Sequence, residues 1–203
     1  MTTAQVHVAR AQRADLERVA NALANAFRDD PVFAWLIPHD VSRRDARLHA
    51  FFTSMARSYI RRGKNVYVAG DGDAAALWSA PGAWALPFGE ISRETPSAIN
   101  AFGGRLLRAL RTQMQVESLH PKEPRHWYLG YLGTRSGAQG KGIGSAMLRH
   151  VLDEADANRI PAYLESSNER NLTLYQRHGF VIVEEIRALG VGPSIWRMWR
   201  DPQ

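Results

Sequence analysis

The hydrophobic pattern changes period between His126 and Ala155, and three glycines mark the place where it changes. His126-Trp127-Tyr128-Leu129-Gly130-Tyr131-Leu132 reads as a strand, rich in aromatic and aliphatic side chains. Beyond the glycines, Ile143, Met147, Leu148, Val151, Leu152 and Ala155 recur at the spacing of one helix face. The order is therefore strand, glycine loop, helix. Within the loop Gln139-Gly140-Lys141-Gly142-Ile143-Gly144, glycine tolerates positive φ and lets a ligand approach the main chain, so that N–H groups can converge. A helix N-terminus adds unpaired N–H groups and the positive end of a dipole, and both favour an anion. The segment is a candidate phosphate cradle; a glycine-rich turn that merely starts a helix is the alternative.

Two well-known phosphate motifs share this order. A P-loop requires a first glycine where Arg135 stands and a serine or threonine where Gly142 follows Lys141, so that reading fails. The dinucleotide fingerprint fits Gly140 and Gly142 but then meets Ser145, and it lacks an early strand-helix-strand unit.

With 203 residues, 45% of them hydrophobic, the chain can bury a full core, and a single domain spanning 1–203 is expected. It has no cysteine, which excludes disulfides, thiolate metal sites and a cysteine nucleophile. Met1 to Arg10 lacks the apolar core of a signal peptide, and no apolar run approaches the ~20 residues of a membrane span, so a cytoplasmic protein with no membrane partner is expected. The formal charge of +6 admits nucleic acid, an anionic surface or a polyanionic small ligand. Much of the excess lies in Arg43, Arg44, Arg47, Arg57, Arg61, Arg62 and Lys64, interleaved with Leu48, Phe51, Phe52, Met55 and Ile60. That is an amphipathic helix with a wet basic face, and with no nucleic-acid-binding signature beside it no nucleic-acid partner is expected.

Elsewhere the chain intermixes strands and helices. Val6-His7-Val8-Ala9 and a helix through Leu16, Val19, Leu23 and Phe27 open it; Asp29-Asp30-Pro31 ends that helix and starts another. Val66-Tyr67-Val68-Ala69 and Ala74-Ala75-Ala76-Leu77-Trp78 flank Gly70-Asp71-Gly72-Asp73 as a hairpin. One or two helices are expected through Ile99 to Met114, as an insertion before the strand at His126. Pro161 to Ser166 reads as a strand, a helix capped by Ser167 or Asn168 runs to His178, and Phe180-Val183 and Ile195-Trp199 supply the last strands. The fold class is α/β, or α+β, with a mixed sheet.

Gln139, Gly142 and Gly144, after a strand ending Leu132-Gly133-Thr134, resemble motif A of the GNAT superfamily of N-acetyltransferases, Gln/Arg-x-x-Gly-x-Gly/Ala. Asn168 to Phe180 resembles the second motif of that superfamily, in which an Asn precedes a Tyr by four and Gly-Phe ends the helix. Pro121-Lys122-Glu123-Pro124, Gln139 to Ala146, Leu164 to Ser167 and Gly192 to Met198 are similar to puromycin N-acetyltransferase and its relatives, a likeness covering roughly 121–200. Thr134 stands where an aliphatic residue is usual, and Ser136 where proline is common.

The resemblance implies a central, mostly antiparallel sheet flanked by helices, an acetyl-CoA-binding core at about 121–200, and a helical insertion at about 80–124 that shapes the acceptor pocket. It implies acetyl-CoA as cosubstrate and no metal. Pyrophosphate would lie against the backbone of Gln139, Gly140, Lys141, Gly142, Ile143, Gly144 and Ser145, and pantetheine along Leu132, Gly133 and Thr134, with Asn171 also touching the cofactor. A backbone N–H freed by a splay near Leu132 or Gly133 would stabilise the oxyanion that forms when an amine attacks a thioester. Tyr175 is the general acid: a tyrosine titrates near ~10 and a thiol near ~8.5, so proton donation to the departing thiolate is mildly uphill. Glu165 accepts the amine proton, directly or through water, unless it is a salt-bridged structural carboxylate.

The histidines are scattered, with no metal-ligand spacing, and His178 reads as a helix-end residue. Trp35, Trp78, Trp84, Phe88, Tyr128 and Tyr131 are candidate walls of an acceptor pocket, or ordinary core. The expected function is acetyl transfer to the primary amine of a small molecule, with an aminonucleoside antibiotic such as puromycin as one candidate and resistance as its biological role. The alternatives are a protein N-terminal or lysine acetyltransferase and a non-catalytic acyl-CoA-binding module. A monomer or homodimer is expected.

Overall fold

The computed structural model describes residues 6–38, 41–85 and 96–203, and Phe88 therefore lies outside the described residues. Its strands are β1 (Val8–Arg10), β2 (Asn65–Ala69), β3 (Ala74–Ser79), β4 (Trp127–Thr134), β5 (Ala162–Ser166), β6 (Val181–Arg187) and β7 (Ser194–Arg200). The helices are α1 (Leu16–Ala26), α2 (Pro31–Leu36), α3 (Val41–Arg61), a helical segment α4 at 96–102, α5 (Leu106–Leu119), α6 (Ile143–Ala157) and α7 (Leu172–Arg177). The strands form one sheet in the order β1-β2-β3-β4-β5-β7-β6, antiparallel at every step except β4 beside β5.

Strand alternation divides the core in two. Val66, Val68, Ala75 and Leu77 face α1 to α5, while Tyr67, Ala69, Ala74, Ala76 and Trp78 face α6. Because both faces are covered, β2 and β3 read as nearly continuous apolar runs.

The parallel step positions the site. Only Trp127, Tyr128 and Leu129 pair with Ala162, Tyr163 and Leu164, after which β4 and β5 part. On its other side, β4 slips register against β3 between Leu77 and Trp78, leaving Gly130 out of the pairing. A Cβ on Gly130 would lie 2.6 Å from the Tyr59 hydroxyl, so only glycine fits that bulge. The splay thus opens at Gly130, earlier than the Leu132 or Gly133 expected from sequence, because the bulge turns the strand away before the apolar run ends.

Basic residues of α3, and Arg62 just beyond it, are tied to carbonyls rather than left as a free stripe. Arg44 donates to the Arg28 carbonyl, Arg47 to the carbonyls of Asn100 and Ala101, and Arg62 to that of Ala85. Arg105 likewise pins the start of α5 to the Trp35 and Ile37 carbonyls at 3.0 and 2.9 Å. These bonds fix the helices that wall the cavity described next. No helix among the described residues is long and apolar enough to cross a membrane.

Candidate active site

Two cavities meet where β4 and β5 part. The first, about 610 Å³, runs along the end of β4 and the start of α6. Gly140 and Gly142 sit at φ 75° and 77°, and a Cβ at either would meet no protein atom, so the space above them is open to a ligand. The first backbone bond into α6 is Ala146 N–H to the Gly142 carbonyl, at 3.0 Å, which leaves the N–H groups of Ile143, Gly144 and Ser145 without an intrahelical acceptor. The loop is braced from behind: Gln139 Nε2 donates to the Thr134 carbonyl and Ser136 N–H to Asn25 Oδ1.

Of the residues expected to hold acetyl-CoA, Leu132, Gly133, Thr134, Gln139, Gly140, Gly142, Ile143, Gly144, Ser145 and Asn171 line this cleft. Lys141 does not; its ammonium donates to the Gly137 carbonyl at 3.0 Å. Among the described residues, the cations that do line it are Arg170, just ahead of α7, and Arg177, at its end, which the sequence reading passed over because an arginine at either end of a short helix carries no distinguishing spacing. Open glycines, unpaired N–H groups and two guanidinium groups fit the diphosphate of a coenzyme A thioester. Among the described residues there is no group of three or more histidine, aspartate or glutamate side chains placed to hold a metal.

The second cavity, about 290 Å³, is apolar. Phe27, Phe33, Phe51, Phe102, Leu106 and Tyr131 are among its walls, contributed by the ends of α1 and α4 and by α2, α3, α5 and β4. Among the described residues lining it, Glu165 is the one charged group. Phe27, Leu132, Asn171 and Tyr175 border both cavities, so Tyr175 stands at their junction. Burial, then the negative charge of Asp30, pushes the Tyr175 hydroxyl well above the usual tyrosine range. It stays protonated, as a hydrogen donor must, but donation to a thiolate is steeper than the unperturbed values indicate.

Glu165 on β5 is partly buried, its side chain 9% exposed, and its buried Oε1 has no hydrogen-bond partner. His120 Nδ1 lies 3.6 Å away. The buried hydroxyls of Tyr128 and Tyr163 are raised by desolvation and by the Glu165 charge. Tyr163 Oη accepts from Arg197 Nε at 3.1 Å, which leaves its own hydrogen to point elsewhere.

Of the expected aromatic walls, Tyr128 and Tyr131 line the apolar cavity and the described tryptophans do not. Trp78 is fully buried against Trp127 on the α6 side, Trp35 packs under Arg108, and Trp84 stacks on His120 at 4.0 Å. Sequence gives a tryptophan's period but not which layer its face meets. His120 and His126, six residues apart across a turn, were also missed, because no helix or strand spacing relates them.

The model of the acetyltransferase (GNAT) family matches residues 84–180. An uncharacterised N-acetyltransferase of Schizosaccharomyces pombe is 27% identical over 192 residues, covering 87% of this chain and 75% of that one. A crystal structure from Corynebacterium glutamicum, described as histone acetyltransferase HPA2 and related acetyltransferase, superposes with a TM-score of 0.73 at 29% identity over 98% of both chains. A Drosophila melanogaster polyamine N-acetyltransferase that forms N-acetylagmatine superposes with a TM-score of 0.65 at 14% identity, over 97% of this chain and all of its own, which speaks to the fold alone.

Proposed function

We propose that this chain is an acetyl-CoA-dependent N-acetyltransferase of the GNAT kind that acetylates the primary amine of a small molecule with a compact apolar or aromatic body. The observation that carries this reading is the apolar cavity with one carboxylate, Glu165, meeting the glycine-lined cleft at Tyr175. An apolar body removes the cavity walls from water, while Glu165 draws the amine end toward the junction.

When bound, acetyl-CoA supplies an activated acetyl group as its thioester. The backbone from Gln139 to Ser145 and the guanidinium groups of Arg170 and Arg177 would hold its diphosphate, and Leu132 to Thr134 would line its pantetheine arm. Asn171 orients it. Glu165 takes a proton from the acceptor nitrogen, which then attacks the acetyl carbon. The main chain freed between Gly130 and Leu132 offers N–H to the developing oxyanion, and the Tyr175 hydroxyl supplies a proton to sulfur. An aminonucleoside such as puromycin belongs to the acceptor class, since its reactive amine sits on an aromatic body.

Thiol release measured with a panel of amines tests this reading. Apolar and aromatic primary amines, puromycin among them, are expected to give the highest kcat/KM. Polyamines are expected to be poor, because Glu165, the one carboxylate among the described lining residues, cannot match several ammonium groups. Preference for lysine-containing or N-terminal peptides over every small amine would overturn the proposal in favour of a protein acceptor, the reading that the C. glutamicum description supports. Acetyl-CoA binding without turnover of any amine would point to a binding module.

A further inference from the structure

Behind Glu165 lies a buried pair of histidines whose tautomers the geometry fixes. His126 Nδ1 is 2.8 Å from the Pro124 carbonyl, which can only accept, so the hydrogen is on Nδ1. Burial holds His126 below the ordinary imidazole range, so the ring is neutral and Nε2 carries a lone pair. His120 Nε2, 3.0 Å away, therefore donates to it. The remaining basic atom, His120 Nδ1, faces the partnerless Oε1 of Glu165 at 3.6 Å.

His120 also borders a separate small pocket of about 70 Å³ on the far side of Tyr128 and Tyr131, with Lys64, Trp84 and Glu117 around it. Glu165 faces the apolar cavity and His120 faces this pocket, so the pair bridges the wall between them.

We propose that the base of this enzyme is the Glu165–His120 pair, with His120 drawing the acceptor's proton off Glu165 and His126 positioning His120 to do so. The proposal rests on the role given to Glu165 above. An aliphatic amine reaches the site as an ammonium ion at neutral pH, titrating near ~10 in the manner of lysine. Forming the amide and the free thiol from it releases one net proton, which must leave a cavity with apolar walls. First an ammonium N–H bond breaks and a Glu165 O–H bond forms. The O–H bond then breaks as His120 Nδ1–H forms, leaving carboxylate and imidazolium side by side, and the imidazolium loses its proton to water at the far pocket. The nitrogen lone pair makes the N–C bond while the C–S bond breaks. The second proton, lost from nitrogen, replaces the one Tyr175 gave to sulfur.

The groups that titrate or carry charge around His120 are His126 ahead of β4, Tyr128 on β4, and Tyr163 and Glu165 on β5. Among the described residues, Arg197 on β7, Glu117 on α5, Tyr59 on α3 and Lys64 just beyond α3 join them. Of these Lys64 needs a control, since burial brings its ammonium down to about 7.

The test is His120→Gln, followed by thiol release from about pH 6 to about pH 9.5, over which the neutral fraction of the amine rises steeply. Glutamine keeps a polar group but holds no proton. The expected result at neutral pH is a kcat lower by roughly 10- to 100-fold, the lower end of general acid–base effects, with the deficit shrinking as the amine arrives neutral at high pH. Acetyl-CoA affinity by calorimetry should not change. Wild-type kcat, or a deficit of equal size at every pH, would overturn the relay. In a Lys64→Met background the pH trend is expected to persist, and its disappearance would also overturn it. Should His120→Gln fail to fold, His126→Phe carries the same test, with a smaller deficit and the same trend expected; a pH-independent deficit there would refute it. Glu165→Gln separates the two readings: a loss in Glu165→Gln with none in His120→Gln removes only the relay, whereas no loss in Glu165→Gln removes the role of Glu165 itself.

Discussion

Ser167 Oγ donates to Asp30 Oδ2 at 2.5 Å, tying the cap of α2 to the turn that leaves β5. Asp30 Oδ1 accepts from Phe33 N–H at 3.0 Å, so one buried carboxylate both starts α2 and anchors it beside the cavity junction. Replacing Asp30 by Ala is expected to cost about 1–2 kcal/mol, the upper part of the range for a lost cap, seen as a melting temperature lower by several degrees. Burial raises the Asp30 pKa despite its hydrogen bonds, so the stability linked to its protonated form is present below 3.8 and is lost as pH rises through the folded value. Asp30→Asn keeps an acceptor oxygen without the charge, and at neutral pH it should melt above Asp30→Ala. Equal melting temperatures for the two variants would refute the cap argument.

Gly142 occupies the left-handed region at φ 77° as the cap of α6. Valine there adds roughly 1–2 kcal/mol of backbone strain and places methyl groups in the open space above the loop, where no protein atom stands. Gly142→Val is expected to weaken acetyl-CoA binding more than tenfold while the protein stays folded. Calorimetry showing unchanged affinity would remove the phosphate cradle.

Tyr175→Phe keeps the ring and its contact with Phe180, at 6.1 Å between centroids. A hydroxyl that acts as the C–S bond breaks contributes mainly to the transition state, so kcat should fall by roughly 10²- to 10⁴-fold with little change in acetyl-CoA affinity. Full turnover in the variant would hand the acid's role to water, and a matching loss of affinity would make Tyr175 a packing residue.

Asp156 accepts from Arg200 Nη1 and Nη2 at 2.7 and 2.6 Å and from Gln203 N–H at 2.8 Å, which joins α6 to the end of β7. The Arg200 hydrogen bonds hold its carboxyl below the usual value of 3.8. A lowered folded pKa contributes stability above 3.8 that is lost as pH falls through the folded value. Asp156→Asn should therefore cost about 1 kcal/mol at neutral pH by urea unfolding, with the gap from wild type closing in acid. A gap that persists below pH 3 would assign the effect to shape instead.

Sequence by itself determined what depends on near neighbours along the chain. The change of period at the glycine loop, the hairpin through Gly70 to Asp73, the helix face from Ile143 to Ala155 and the four-residue spacing that brings Asn171 and Tyr175 to the same two cavities rest on dihedral preference and on three- and four-residue spacing. Tertiary structure alone decided which distant groups meet. It set Glu165 against His120, turned Trp78 into the α6 layer and Trp35 under Arg108, turned Arg44 and Arg47 of α3 onto carbonyls, and opened the sheet at Gly130. Those outcomes follow from the registers in which the strands pair and from how the helices close over both faces of the sheet. A register is fixed by the sum of many weak contacts across the sheet, and no single spacing in the chain records it.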